Sequence, residues 1–96
     1  MKVSRSYIDK MSPNQLVSWF LISSYCYYRL GDPVMTDMDF DYLTQRLIEE
    51  YDNVDHPHKH LVTEDNLKAG TGFDIKYPSI VKGASHQILK SEEKFE

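Results

Sequence analysis

The chain has 96 residues, 41% hydrophobic and 27% charged, with eleven basic and fifteen acidic side chains and a net charge of −4. That composition fits one small globular domain and excludes disordered, collagen-like and repeat classes, while the acidic balance argues against holding DNA or RNA by bulk electrostatics. A single cysteine excludes an intramolecular disulfide and points to a reducing, cytoplasmic setting; the longest apolar stretch, near Val17 to Ile22, is too short to span a membrane, and no signal peptide is evident.

Residues 1–11 show no clear period and read as a lead-in. Ser12-Pro13 then starts a helix, because serine caps free backbone N–H groups and proline loses nothing at the first helical position. Leu16, Phe20, Ser23, Tyr27 and Leu30 follow at helical spacing, with Trp19 and Phe20 expected in the core, and Gly31 is a suitable stop. This predicts a helix over about 13–30. Gly31-Asp32-Pro33 is a turn, since Pro33 holds Asp32 in extended geometry. Thr36 caps a second helix over about 37–52, with Asp39 as a capping-box partner and Phe40, Leu43, Leu47 and Tyr51 as its apolar stripe. Two helices and a short turn make an αα-hairpin.

Beyond it, Asp55 to His60 reads as a loop around Pro57, and Thr63 to Ala69 as a short helix ended by Gly70. Thr71 to Ser85 carries Gly72, Pro78 and Gly83, with Phe73, Ile75 and Tyr77 alternating, and reads as extended. Ser91 to Glu96 is charged and expected to fray. The expected fold class is therefore mainly α: a small helical domain at 1–89, built on an αα-hairpin with a short third helix and an extended C-terminal segment, followed by a charged flexible tail at 90–96.

Charge is concentrated. Residues 31–55 hold eight acids and one base, a net of −7, and the rest of the chain is net +3. A segment this acidic repels phosphate and suits a cation or a positively charged ring; a solvated helix face is the plain alternative. Within it the hairpin turn brings Tyr25, Tyr27 and Tyr28 toward Asp37, Phe40 and Asp41. Asp37 and Asp41, four apart, share a helix face. Aromatic faces beside carboxylates can hold a positive aromatic ring by stacking, cation–π attraction and charge pairing.

The order of these residues adds a resemblance. Tyr27-Tyr28-Arg29-Leu30-Gly31-Asp32-Pro33, then Asp37-Met38-Asp39-Phe40-Asp41-Tyr42-Leu43, and His56-Pro57 further on, resemble the N-terminal Ia domain of bacterial NAD-dependent DNA ligases over about residues 13–61. The resemblance implies a helical unit that binds the nicotinamide mononucleotide half of NAD. It implies that Tyr27 stacks on the nicotinamide, that Tyr28 stands where histidine is common, and that Asp37 and Asp41 match the two acids contacting the nicotinamide mononucleotide portion. Phe40 replaces the usual tyrosine, and the missing hydroxyl removes a hydrogen bond of about 1 kcal/mol or more.

The 96 residues contain no Lys-x-Asp-Gly adenylation motif, no cysteine set for a ligase zinc finger, and no length for DNA-binding domains. The expected role is thus a non-catalytic module, not an enzyme by itself, that could complete a split ligase whose nucleotidyltransferase is a separate chain. A bacteriophage genome would suit such a module, placing it in host cytoplasm. The alternative is a protein-interaction module, an adaptor or an inhibitor of a host nucleic-acid enzyme whose basic groove the acidic hairpin would occupy; a homo-oligomer through the aromatic helix face is a third reading.

Other motifs carry less. His56, His58 and His60 could approach zinc, but their spacing fits no standard finger, and no metal is expected. Cys26 reads as an inert buried thiol. Ser85-His86 is no triad. Gly70-Thr71-Gly72 lacks the lysine and strand-turn-helix context of a phosphate loop and serves as a turn.

Overall fold

A computed structural model describes residues 2–69 and 75–96 of the chain. It is mainly helical. Among the described residues five α-helices occur, in the order α1 Arg5–Asp9, α2 Pro13–Tyr25, α3 Asp37–Glu50, α4 Glu64–Ala69 and α5 Ser79–Lys90, and the only β pairing is an isolated parallel bridge between Val3 and Phe95.

Helix α2 is the centre of the fold. Its start is a complete capping box: Gln15 N–H donates to Ser12 Oγ at 3.3 Å, and Ser12 N–H donates to Gln15 Oε1 at 2.8 Å. One side packs on α3 and another on α5. Leu16, Val17, Phe20, Leu21, Leu43 and Leu47 are at most 1% exposed and form the middle of the core. Trp19 is buried too, and its ring meets Tyr7 and Phe95 edge-on at 5.7 and 5.0 Å between centroids.

Several expectations are corrected. The lead-in contains α1, capped by Ser4 Oγ; five residues are too few to show a period. The segment expected to be extended through Ser85 is non-helical only over 75–78 among its described residues. From Ser79 it is α5, which follows extended Pro78 and turns Val81 and Ser85 inward. Gly70, Thr71, Gly72 and Phe73 lie outside the described residues, so the helix stop, the glycine turn and the start of the alternating run do as well. The C-terminal tail is docked instead of frayed. Phe95 N–H donates to Lys2 O at 2.7 Å, and Ser4 N–H donates to Phe95 O at 2.8 Å. Beside them Lys2 and Val3 N–H both donate to Val34 O at 2.9 Å, so both chain ends buttress the turn between α2 and α3.

The capping-box partnership of Thr36 and Asp39 forms only by half. Asp39 N–H donates to Thr36 Oγ1 at 3.1 Å, while the Asp39 carboxylate accepts from Arg5 Nε instead of reaching back to the cap.

A candidate ligand cleft at the hairpin turn

The last turn before the hairpin is the local feature that shapes the site. Over Cys26–Leu30 the α-helical bonding of α2 widens to i→i+5, a π-turn of the kind that often accompanies functional positions. The turn is closed by Gly31 at φ 64°, and Cys26 O accepts both the Gly31 and Asp32 N–H groups. This turn carries Tyr27 and Tyr28. Tyr27 follows Leu16 and Phe20 at helical spacing, yet it is 48% exposed while they are buried.

Tyr27, Tyr28, Asp37, Phe40 and Asp41 all line one cleft of about 250 Å³. The rest of its wall is Ser23, Pro33, Val34 and Met35. The rings of Tyr27 and Tyr28 are perpendicular, 4.9 Å between centroids, and make a corner in which a flat ligand stacked on one ring meets the edge of the other. Phe40 is stacked on core Phe20 at 5.4 Å and 24°, which fixes the plane of that wall.

The electrostatics are one-signed. Asp37 and Asp41 are exposed, stand one helical turn apart, and have no ion-pair partner among the described residues. Two like charges at this spacing destabilise a helix by a few tenths of a kcal/mol, about 0.2–0.5, unless a cation shares them. None of the nine lining residues is Lys or Arg. The cleft can hold a flat, positively charged ring non-covalently, with carboxylates left over for hydroxyl or amide donors.

Tyr25 does not join this group. Its ring packs edge-on against Tyr77 at 5.2 Å and near His86. Burial pushes the Tyr77 phenol up to about 12, against the opposing effects of the neighbouring Ser24 hydroxyl and the charge of Arg29. Cys26 is fully buried; burial raises its thiol pKa, a hydrogen bond with Ser85 opposes that rise and nearby Asp32 adds to it. A thiol so placed is no nucleophile. His56, His58 and His60 are strung 5.6 and 6.3 Å apart between ring centroids, and among the described residues no three His, Cys, Asp or Glu side chains converge as a metal-ligand group. No helix among the described residues is long and apolar enough to cross a membrane.

Ser23 and the Pro33-Val34-Met35 wall were missed from sequence. Ser23 falls at helical spacing between Phe20 and Tyr27, and a serine on that face one turn before Tyr27 is the available signal. Comparison of the chain with protein-family models, with curated proteins and with solved structures finds no match to any of them.

Proposed function

We propose that the chain is a non-catalytic binding module for the nicotinamide mononucleotide half of NAD. The observation that carries this reading is the cleft itself: two perpendicular tyrosine rings line it together with two carboxylates that have no ion-pair partner among the described residues. A nicotinamide ring in its oxidised form is flat and cationic, and it matches that pairing. Ribose hydroxyls can donate to Asp37 and Asp41. The size agrees as well. A cleft of about 250 Å³ is smaller than the roughly 300–1,000 Å³ of drug-sized sites, which suits one nucleotide half better than a whole dinucleotide. The order of Tyr27, Tyr28, Asp37 and Asp41 along the chain also resembles the ligase Ia pattern. On this reading the module serves a nucleotidyltransferase carried on a separate chain.

The test is a nuclear magnetic resonance titration of labelled protein with nicotinamide mononucleotide, with adenosine monophosphate as control. Shifts at Tyr27, Tyr28, Asp37, Phe40 and Asp41 with the first ligand alone are expected, and Asp41→Ala should weaken binding by roughly 1–3 kcal/mol, the range for losing a charged hydrogen-bond partner. Equal binding by wild type and variant overturns the assignment.

One observation favours a second reading, protein interaction. A separate groove of about 350 Å³, mostly apolar, runs between α2 and α5 past Leu21, Ile22 and Pro57, and Ile80 beside it is 72% exposed. Affinity capture with wild type and Ile80→Asp tests it: a partner retained by the first and lost by the second supports this role, and equal capture removes it.

A further inference from the structure

We infer that Ser23 is the hydrogen-bonding floor of the cleft, where it holds an amide on the ligand's ring, and that Asp37 and Asp41 beside it keep out a carboxylate in the same place. The inference rests on the nicotinamide reading above and names the residues that set its specificity. Ser23 lines the cleft, is only 3% exposed, and its hydroxyl has no hydrogen-bond partner among the described residues.

Such a hydroxyl is costly, because it has lost water and gained nothing in exchange. Buried hydroxyls on helices usually avoid that cost by donating to the carbonyl one turn back. Two in this molecule do so: Thr44 Oγ1 donates to Phe40 O at 2.9 Å, and Ser85 Oγ to Val81 O at 2.7 Å. The adjacent Ser24 hydroxyl is likewise buried without a hydrogen-bond partner among the described residues, but it lies toward the Tyr77 phenol and does not line the cleft. Of these two unpaired serine hydroxyls, Ser23 is the one on the cleft wall. Its neighbours on the same helix stripe, Leu16 and Phe20, are apolar and buried, so alanine at position 23 would satisfy the core without the penalty. A hydroxyl kept unpaired at the edge of a cavity is explained by a partner that arrives with the ligand.

The carboxamide of nicotinamide is such a partner. A hydroxyl rotates freely, so it can donate to the amide oxygen or accept from the amide nitrogen. A ring carboxylate in the same place faces Asp37 and Asp41 as a third negative charge, and no lysine or arginine lines the cleft to offset it. Ser23 therefore holds the amide, and the two aspartates turn away the acid, which the hydroxyl alone would accept.

The experiment compares nicotinamide mononucleotide with nicotinic acid mononucleotide, titrated calorimetrically into wild type, Ser23→Ala and Ser23→Cys, with thermal melts of the free proteins alongside. Wild type is expected to prefer the amide at least about tenfold. Ser23→Ala should weaken amide binding about fivefold to tenfold, the equivalent of one hydrogen bond, and leave acid binding unchanged. Ser23→Cys, a weak donor of similar size, should fall between. Free Ser23→Ala should melt at or above the wild-type temperature, since an unpaired buried hydroxyl has been removed. Wild type and Ser23→Ala binding the amide equally, with the same preference over the acid, overturns the role of Ser23 and leaves the cleft assignment standing. Wild type that binds neither nucleotide at millimolar concentration overturns both.

Discussion

Arg5 Nε donates to Asp39 Oδ1 at 3.1 Å, and this contact sorts the three acids at the start of α3. Arg5 also lies over the Tyr42 ring, 4.5 Å from its centroid, so helix α1 holds Asp39 on the side of α3 that it packs against. Asp37 and Asp41 are left to the cleft. Arg5 is 47% exposed and Asp39 20%, so the pair is screened and its contribution to stability is about 0.2–1 kcal/mol. Asp39→Asn should lower the urea midpoint by an amount in that range and leave nicotinamide mononucleotide binding within twofold of wild type. Binding that drops as far in Asp39→Asn as in Asp41→Ala would show that the acids do not divide in this way.

On the proposed reading, Phe40 stands where the ligase pattern carries a tyrosine. Its ring stacks on Phe20, so its plane is set by the core while its edge reaches the cleft. Phe40→Tyr keeps the stack and adds a hydroxyl. That hydroxyl can hydrogen-bond a bound nucleotide, and affinity should rise by about 1 kcal/mol, roughly fivefold, with the thermal midpoint unchanged. An unchanged or weaker affinity in a variant that melts normally would mean the ligand does not reach Phe40.

Much of this arrangement was legible in the residues. The hairpin followed from Ser12-Pro13, the Leu16 and Phe20 stripe, Gly31 and the Thr36 cap, because each is a local rule acting at a helix end or along one face. The grouping of Tyr27, Tyr28, Asp37, Phe40 and Asp41 followed from the same turn. The π-turn did not, since widened bonding at Cys26–Leu30 depends on how Gly31 closes the helix and leaves no periodic mark. Helix α5 was hidden by Pro78 and Gly83, which read as breakers. Yet Pro78 sits before the first turn, where it costs no hydrogen bond, and Gly83 is tolerated on an exposed face. The docking of Phe95 depends on partners more than 70 positions away and has no local signal.

Gly31 is the one described residue whose backbone demands glycine, with φ 64°. A Cβ built there meets nothing within 4 Å, so the penalty of a side chain is purely conformational. Gly31→Ala should therefore destabilise by about 1–2 kcal/mol, the cost of a left-handed residue with a Cβ. Gly31→Asn should cost less, because asparagine visits that region more readily. Because Cys26 O accepts from both Gly31 and Asp32, the alanine variant should also disturb Tyr27 and Tyr28 and weaken ligand binding. Equal melting of alanine and asparagine variants would place the strain elsewhere.

His56 gives the fold a pH dependence whose sign can be worked out from its contacts. His58 N–H donates to His56 Nδ1 at 3.0 Å, and His56 Nε2 lies 2.9 Å from Ser18 Oγ. A nitrogen that accepts from a backbone N–H carries no proton, so the neutral ring is protonated on Nε2 and donates to Ser18. Protonating Nδ1 removes the acceptor and sets two donors against each other. Burial, and then the neighbouring His58, hold the His56 pKa below its ordinary 6.5. The unfolded chain thus binds the proton more readily than the folded one. The stability that His56 contributes is complete above pH 6.5, declines as pH falls from there toward the depressed folded value, and levels off below it. Thermal melts of wild type and His56→Gln from pH 8 down to pH 5 should show a difference in midpoint that is largest above neutrality and narrows as the solution is acidified. A difference that stays constant across that range would mean that His56 titrates alike in the folded and unfolded chain, so that the Ser18 and His58 contacts do not favour the neutral ring.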